Sequence, residues 1–173
     1  MKNILVHNVV DPLLLERLRA LPDVRLDVIE TDEEEIGVLP AERIRNTHIL
    51  FCTLPPSNFS EMASLELIQL GSVGYSQLYG LSLPERSIRA WNALGVFDGP
   101  IAEWNIAMMV NLARDLRGMI RNQQAGIWDS SAAFQREIRG SVVGIWGYGG
   151  IGRETARLSK ALGLRVHVLS RSG

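Results

Sequence analysis

A glycine-rich turn that could bind a pyrophosphate is the clearest chemical signal in this chain, at Gly147-Tyr148-Gly149-Gly150-Ile151-Gly152. Gly147 permits a tight turn, Gly149 lets a phosphate approach the backbone, and Gly152 lets a following helix pack closely on the preceding strand. Free N–H groups at the start of such a helix attract anions, because the helix dipole adds partial positive charge there. These residues predict a phosphate-binding turn, and a plain glycine-rich turn is the alternative.

The segments on both sides of this turn have the patterns that a dinucleotide site needs. Residues 141–146 are short and apolar, which predicts a buried strand. Residues 153–162 place apolar side chains at helical spacing before Gly163, and residues 164–169 predict a second strand. The order strand, glycine turn, helix and strand is that of the first βαβ unit of a Rossmann domain. We therefore expect this part of the chain to bind a dinucleotide.

The residues after the second strand are those that would meet the adenosine ribose. An Asp or Glu about 20 residues after the start of the turn usually holds the ribose of NAD, but none occurs between Thr155 and Gly173. The chain has Ser170-Arg171-Ser172 there, and a guanidinium beside two hydroxyls suits a 2′-phosphate. We therefore predict NADP in preference to NAD, and a solvated arginine is the alternative.

Composition excludes several other classes of protein. The 173 residues are 46% hydrophobic and 21% charged with a net charge of −1, which is typical of a globular protein without a nucleic-acid partner. No apolar stretch has membrane-spanning length, the start of the chain is too polar for a signal peptide, and we expect a cytoplasmic location. The single cysteine, Cys52, excludes an internal disulfide and is expected to be a buried thiol. No metal site is predicted, because the consecutive acidic residues 32–35 indicate a solvated loop or helix start.

The first half of the chain alternates between strand and helix patterns, which predicts a parallel α/β sheet. Asp11 has the residue type of an N-cap for a helix over residues 12–21. His7, His48 and His167 lie in or beside predicted strands, and we expect packed or edge residues rather than catalysts. The predicted strands are residues 4–6, 24–29, 47–51, 65–70 and 88–91.

A second glycine-containing loop follows the fourth predicted strand. In Ser72-Val73-Gly74-Tyr75 the backbone N–H groups could converge on an anion, because the loop leaves a strand end and contains a glycine. A plain strand-to-helix turn is the alternative for the same residues.

A long helix is predicted from Gly99-Pro100 to about Asn122. Its continuous apolar stripe is expected to pack on a neighbouring domain or subunit. Glu103 is expected in the first turn, where the helix dipole favours a carboxylate, and Trp128 is expected to be a packing anchor. The stripe consists of Ile101, Trp104, Met108, Leu112, Leu116 and Met119.

Four motifs follow one another in the chain, and their order is more specific evidence for a protein family than the glycine turn alone. They are Leu67-Ile68-Gln69-Leu70-Gly71-Ser72-Val73-Gly74-Tyr75, Asn92-Ala93-Leu94-Gly95-Val96, Ile101-Ala102-Glu103-Trp104, and Gly140-Ser141-Val142-Val143-Gly144-Ile145-Trp146-Gly147-Tyr148-Gly149-Gly150-Ile151-Gly152-Arg153. Over nearly the whole chain this order resembles the D-isomer-specific 2-hydroxyacid dehydrogenases. Two residues depart from the family's pattern: Ser76 stands where an Asp is frequent, and Trp104 stands where a His is common.

The resemblance implies a flavodoxin-like, parallel-sheet substrate domain over residues 1–98. A connecting helix and an incomplete dinucleotide-binding domain, the first βαβ unit of a Rossmann domain, would follow over residues 99–173. It implies an NAD(P)-dependent oxidoreductase acting on the CH–OH group of D-2-hydroxyacids, with a small 2-oxo or 2-hydroxy acid as substrate. The loop residues Ser72, Val73, Gly74 and Tyr75 would hold the substrate carboxylate.

In that family the catalytic Arg, Glu and His lie later in the dinucleotide-binding domain. We therefore expect no catalytic residue in this chain, and we expect the chain to be a truncated portion that is inactive alone. The complete protein is expected to be a homodimer without nucleic-acid or membrane partners.

Two other functions are consistent with the same motifs. One is a nucleotide-sensing interaction protein, since transcriptional corepressors share the fold. The other is an inactive fragment that binds nothing. Ligand-dependent association without turnover would indicate the first, and melting unaffected by NADPH would indicate the second.

Overall fold

Five parallel strands form the sheet of the first of two compact units. The computed structural model describes residues 1–30, 36–131 and 135–171, and it divides into units 1–94 and 95–173. The acidic run 32–35 and Ser172 lie outside the described residues. In chain order the elements of the first unit are β1 (Lys2–His7), α1 (Pro12–Arg19), β2 (Val24–Val28), α2 (Ala41–Ile44), β3 (Ile49–Cys52), β4 (Leu67–Leu70) and β5 (Arg89–Trp91), with 3₁₀ helices at Phe59–Glu61 and Ser76–Leu78.

The strand order in this sheet is β2-β1-β3-β4-β5, and every neighbouring pair is parallel. This is the flavodoxin-like order of a doubly wound sheet, in which the chain turns back between β1 and β3. The predicted α/β class with a parallel sheet is therefore confirmed. Asp11 caps α1 as predicted, since its carboxylate accepts a hydrogen bond from Leu13 N–H at 2.8 Å.

The main core of this unit lies on one face of the sheet. Leu5, Leu50 and Ile68 stand side by side on β1, β3 and β4 and are fully buried. Cys52 and Leu70 continue the same face to the carboxyl ends of their strands and are fully buried too. Loops that leave this end of the sheet are therefore placed on a rigid base. The other core residues are Leu39, Ile44, Phe59, Met62, Leu65, Leu83 and Ile88.

The second unit contains one βαβ unit preceded by two helices. Its strands β6 and β7 pair in parallel, as predicted, with α5 between them in the chain. In chain order the elements are α3 (Asp98–Arg114), α4 (Leu116–Gln124), β6 (Val142–Trp146), α5 (Gly150–Ala161) and β7 (Arg165–Leu169). Helix α3 packs on α5 through small buried residues, Ala102 and Ala156, and through a hydrogen bond from Asn105 Nδ2 to Thr155 Oγ1 at 3.2 Å.

The single long helix predicted to about Asn122 is wrong, because the chain breaks at Asp115. This residue has a left-handed φ of 48°, and its carboxylate then accepts a hydrogen bond from Gly118 N–H at 3.2 Å as the N-cap of α4. The apolar stripe is therefore not continuous. The prediction that Glu103 lies in the first turn of the helix is also wrong. Helix α3 begins at Asp98, so Glu103 lies in the second turn.

Two expected burials in the second unit are also wrong. The strand predicted as buried has an open face, with Val142 54% and Trp146 91% exposed. Only Val143 and Ile145, on the other face, are half-buried. The reason is that β7 is the single strand paired with β6 among the described residues. Trp128, expected as a packing anchor, is 92% exposed.

Candidate functional site

The loop 71–75 lies at the carboxyl edge of the five-stranded sheet. Gly71 N–H donates to the carbonyl of Cys52, at the end of β3, at 3.0 Å. A Cβ on Gly71 would lie 3.1 Å from Asn8 Nδ2, which follows β1, and 3.4 Å from Thr53 Oγ1. The ends of β1, β3 and β4 therefore meet at this loop. Doubly wound sheets bind their ligands at this edge, at the point where the strand order reverses.

Three consecutive carbonyl groups of the loop are held by hydrogen bonds. The carbonyl of Ser72 accepts from Ala93 N–H at 3.0 Å, and the carbonyl of Val73 accepts from Asn92 Nδ2 at 2.8 Å. The carbonyl of Gly74 accepts from Ser72 Oγ at 2.8 Å. Asn92 and Ala93, which follow β5, and the hydroxyl of Ser72 thus fix the orientation of three peptide planes.

The same peptide units leave their N–H groups without partners among the residues that the structure describes. In a planar trans peptide the N–H points away from the C=O, so the N–H groups of Val73, Gly74 and Tyr75 face away from the groups that bind the three carbonyls. Within the described residues none of the three donates a hydrogen bond. Successive backbone N–H groups held in this way can bind an anion. The geometry fits the predicted anion loop, and the binding itself stays a prediction.

An apolar cavity of about 490 Å³ lies beside this loop. Tyr75 belongs both to the loop and to the cavity wall, and Tyr79 packs edge-to-face on the Tyr75 ring with 6.0 Å between centroids. None of the side chains that line the cavity among the described residues is charged. The lining residues are Leu70, Tyr75, Leu78, Ala90, Trp91 and Asn92.

The glycine turn of the second unit has the backbone that its residue types predict. Gly147 has a φ of +98°, which L side chains rarely adopt, and its N–H donates to the carbonyl of Leu169 on β7 at 2.8 Å. A Cβ on Gly152 would overlap the carbonyl oxygen of Gly147 and lie 3.4 Å from Ile145 Cγ2 on β6. Gly152 is therefore required for the close contact between α5 and β6.

The space beside the turn also fits a phosphate. Gly149 precedes the first residue of α5, and a Cβ built on Gly149 meets nothing within 4 Å. The first N–H groups of a helix have no acceptor within it, so those of Gly150 and Ile151 are available to an anion. Tyr148, next to Gly149, is 43% exposed. The turn therefore has the open backbone and the donors that a pyrophosphate needs, and cofactor contact stays a prediction.

Asp98 is a neighbour of this turn that the sequence did not indicate. A Cβ on Gly150 would overlap the Asp98 carboxyl group, so a carboxylate lies against the start of α5. The helix dipole stabilises negative charge at this end. A phosphate bound at the turn would therefore lie in the same helix-dipole field as the Asp98 carboxylate. The two residues are far apart in the sequence, and only the packing of α3 on α5 brings them together.

Arg171 follows β7 and is exposed, and its side chain forms no ion pair within the described residues. The ribose contact predicted for Arg171 and its neighbour Ser170 stays a prediction. The third member of that predicted group, Ser172, is outside the described residues.

Two other polar candidates of the first unit, Cys52 and His7, are buried. Cys52 is fully buried, so the prediction of a buried thiol is confirmed, and burial raises the pKa of its thiol to about 12. His7 is 6% exposed, burial lowers its pKa, and its Nδ1 has no hydrogen-bond partner among the described residues. No cluster of three metal-ligating side chains occurs in the described parts of the chain, and no helix there is long and apolar enough to cross a membrane.

Sequence comparison relates the second unit to one family of enzymes. The sequence model described as "D-isomer specific 2-hydroxyacid dehydrogenase, NAD binding domain" matches residues 106–173. The D-3-phosphoglycerate dehydrogenase 1 of Saccharomyces cerevisiae is 32% identical over 138 residues, which are 78% of this chain and 29% of the yeast protein.

Solved structures show the same fold over nearly the whole chain. The TT0316 protein of Thermus thermophilus has a TM-score of 0.82 at 22% identity, covering 99% of this chain and 57% of that one. D-lactate dehydrogenase of Aquifex aeolicus, solved with NAD and lactic acid, has a TM-score of 0.81 at 21% identity, covering 98% and 51%. The chain thus spans less than two thirds of the length of each protein compared here. The family model and the yeast relative thus relate this chain to the D-isomer-specific 2-hydroxyacid dehydrogenases, and the solved structures show that it has their fold.

Proposed function

We propose that the whole protein transfers a hydride between a nicotinamide dinucleotide and C2 of a small 2-oxo acid, with a D-2-hydroxyacid as the reduced product. The observation that supports this most is the loop at the carboxyl edge of the sheet, where three carbonyls are held and the N–H groups of Val73, Gly74 and Tyr75 are left for an anion. A carboxylate is the anion that every 2-oxo acid carries. The nicotinamide, when bound, supplies the hydride.

In this proposal the first unit binds the substrate and the second unit binds the cofactor. Ser72, Val73, Gly74 and Tyr75 orient the carboxylate by hydrogen bonds that need no movement of the loop. The turn Gly147-Tyr148-Gly149-Gly150-Ile151-Gly152 receives the pyrophosphate. The acid–base catalyst is assigned to the Arg, Glu and His that the family has later in the sequence, so we expect no turnover by residues 1–173 alone.

The substrate loop is tested by replacing Gly74 with valine in the full-length protein. A Cβ at this position meets nothing within 4 Å, so the fold should tolerate the change while the new side chain crowds the N–H groups. We expect KM for the 2-oxo acid to rise about tenfold or more, the scale of a lost hydrogen bond to a charged group. Cofactor affinity should not change. Gly37→Val, also in open space and outside the loop, is the control.

Steady-state kinetics with glyoxylate, pyruvate and hydroxypyruvate measure this directly. Unchanged KM in Gly74→Val would refute the assignment of the carboxylate to this loop. Association with another protein in response to NADPH, without reduction of any 2-oxo acid, would support the alternative of a nucleotide-sensing interaction protein.

We further propose NADP as the preferred cofactor, with Ser170, Arg171 and Ser172 at the 2′-phosphate. The support is the exposed guanidinium of Arg171 after β7, which forms no ion pair with any described residue, and the absence of any acid between Thr155 and Gly173. Arg171→Ala should weaken NADPH binding by about 1.5–3 kcal/mol and leave NADH binding nearly unchanged.

Titration calorimetry with both cofactors checks this preference. Arg157→Ala is the control, because that arginine pairs with Glu154 on the same unit. Equal losses for NADPH and NADH, or tighter binding of NADH by the unaltered protein, would overturn it.

We also propose that the whole protein is a homodimer in the cytoplasm. The dimer is supported by exposed apolar residues on α3 and α4, which include Trp104, Leu112 and Ile120. The cytoplasmic location is supported only by composition. Sedimentation of the full-length protein at micromolar concentration tests the dimer, and a monomer would refute it.

A further inference from the structure

Gln77 connects the substrate loop to the end of a neighbouring strand. It lies in the 3₁₀ helix Ser76–Leu78, directly after the loop. Its Nε2 is 2.9 Å from the carbonyl of Thr53, 3.0 Å from Ser72 Oγ and 3.3 Å from the carbonyl of Gly74. Only the NH₂ end of the carboxamide suits this position, because carbonyl oxygens only accept hydrogen bonds and Ser72 Oγ already donates to Gly74.

These contacts give the carbonyl of Gly74 two donors, Ser72 Oγ and Gln77 Nε2. Because that carbonyl is held toward β3, the N–H of Tyr75 in the same peptide plane is directed to the opposite side. Gln77 also fixes the hydroxyl of Ser72 and the backbone of Thr53, so the loop cannot rotate independently of the sheet. Asn92 holds the preceding carbonyl, that of Val73.

We propose that Gln77 is a positioning residue for the substrate carboxylate, an inference that rests on the proposed function of the loop. Its side chain does not reach the substrate; it keeps the loop's N–H groups in their binding orientation before the substrate arrives. A loop that is already ordered loses less conformational freedom on binding, so its hydrogen bonds contribute more to affinity. Ground-state substrate binding therefore depends on Gln77, and cofactor binding in the other unit does not.

The test is a comparison of Gln77→Leu and Gln77→Glu in the full-length protein, with the best-reduced of glyoxylate, pyruvate and hydroxypyruvate as substrate. Gln77→Leu removes both donors, and we expect KM for the 2-oxo acid to rise about tenfold. The KM for NADPH should stay within about twofold. Gln69→Leu is the matched control, because among the described residues Gln69 Nε2 donates only to the carbonyl of Leu70, outside the loop.

Gln77→Glu adds a readout that a general loss of packing would not produce. The ionised carboxylate offers no donor to the three oxygens, whereas the protonated acid offers one. We expect the ratio of its KM to that of the unaltered protein to fall as the pH is lowered through the carboxyl titration. The corresponding ratio for Gln77→Leu should not change with pH.

The possible results separate the two proposals. Failure of the unaltered protein to reduce any of the three acids would overturn the proposed function together with this inference. Normal activity combined with a KM in Gln77→Leu within twofold of the unaltered value would overturn only the positioning role. Parallel increases in KM for the acid and for NADPH, with a lower melting temperature, would also overturn it, because they would indicate a purely structural residue.

Discussion

Gly152 and Gly149 are both part of the glycine turn, but the structure needs them for different reasons. At Gly152 a side chain would overlap the backbone of Gly147, whereas at Gly149 a side chain would enter open space. Gly149 also has a φ of −75° and a ψ of −161°, which other residues can adopt. Gly152 is required for folding, and Gly149 is available for a ligand.

This difference predicts opposite outcomes for two alanine substitutions. Gly152→Ala should lower the melting temperature of the protein, because α5 must move off β6 to relieve an overlap with backbone that cannot yield; overpacking of this kind costs typically about 1–3 kcal/mol. Gly149→Ala should melt normally and bind NADPH more weakly, because its Cβ occupies the space proposed for the pyrophosphate.

Differential scanning calorimetry and NADPH titration of the two variants check this pair. Equal melting temperatures in both variants would contradict the packing role of Gly152. Normal NADPH affinity in Gly149→Ala would contradict the placement of the pyrophosphate.

Site residues that could be predicted from the sequence make contacts within one short segment, and those that could not make contacts between distant segments. Gly147 and Gly152 were predictable, because their roles arise within one strand–turn–helix segment. Gln77 and Asp98 were not, because their partners Thr53 and Gly150 come close only when separate elements pack. A glutamine after a loop or an aspartate at a helix start has no local feature that indicates such a partner.

At the scale of elements, α2 is connected to β2 by one ion pair. Arg43 donates to Asp27 through Nε at 2.8 Å and again through Nη2, which also donates to the carbonyl of Val28 at 3.0 Å. The hydrogen bond from Arg43 is the main reason why the pKa of Asp27 lies below its usual value. Helix α2 has only four residues and no side-chain N-cap hydrogen bond, so this contact helps to hold it on the sheet.

This pair predicts a pH-dependent contribution to stability. The pKa of Asp27 is lower in the folded than in the unfolded chain, so the contribution is present above the unfolded value near 4 and is lost as the pH falls through the folded pKa. Asp27→Asn should lower the free energy of unfolding at pH 7 by up to about 1 kcal/mol, since solvent screens this half-exposed pair. Below the folded pKa of Asp27 the variant and the unaltered protein should converge.

Urea unfolding at a series of pH values measures this effect. Glu16→Gln is the control, because Glu16 forms a more exposed pair with Arg19 within α1. Equal stability of Asp27→Asn and the unaltered protein at pH 7, or a difference that persists in acid, would contradict the prediction.

The elements themselves were mostly predictable, and the exceptions have physical causes. Apolar or alternating runs bounded by turn residues predicted all seven strands of the described residues, because these patterns are typical of strands. The break at Asp115 was missed, because an aspartate can adopt a left-handed φ and then cap the next helix without any glycine or proline to mark the end. The exposure of β6 was not predicted, because the number of strands that pair with β6 cannot be read from its own residues.

At the scale of the whole molecule, the second unit has large apolar side chains that its own described elements leave exposed. Trp128 and Trp146 are each more than 90% exposed, and Leu112 is 83% exposed. Large exposed apolar areas of this kind are typical of interaction surfaces. The first unit, by contrast, buries a continuous core and holds the proposed substrate loop on it. The proposed function therefore assigns recognition of the acid to the first unit, and binding of the cofactor and the second subunit to the other.

The central claim, that this protein reduces a 2-oxo acid to a D-2-hydroxyacid with a nicotinamide cofactor, is tested most directly by following the hydride. The full-length protein is incubated with pyruvate and with NADPH or NADH that carries deuterium at both C4 positions, and the lactate formed is analysed for deuterium and for configuration. We predict deuterium at C2 of D-lactate. Formation of L-lactate, or of lactate without deuterium, or oxidation of neither cofactor with any 2-oxo acid offered, would contradict the account.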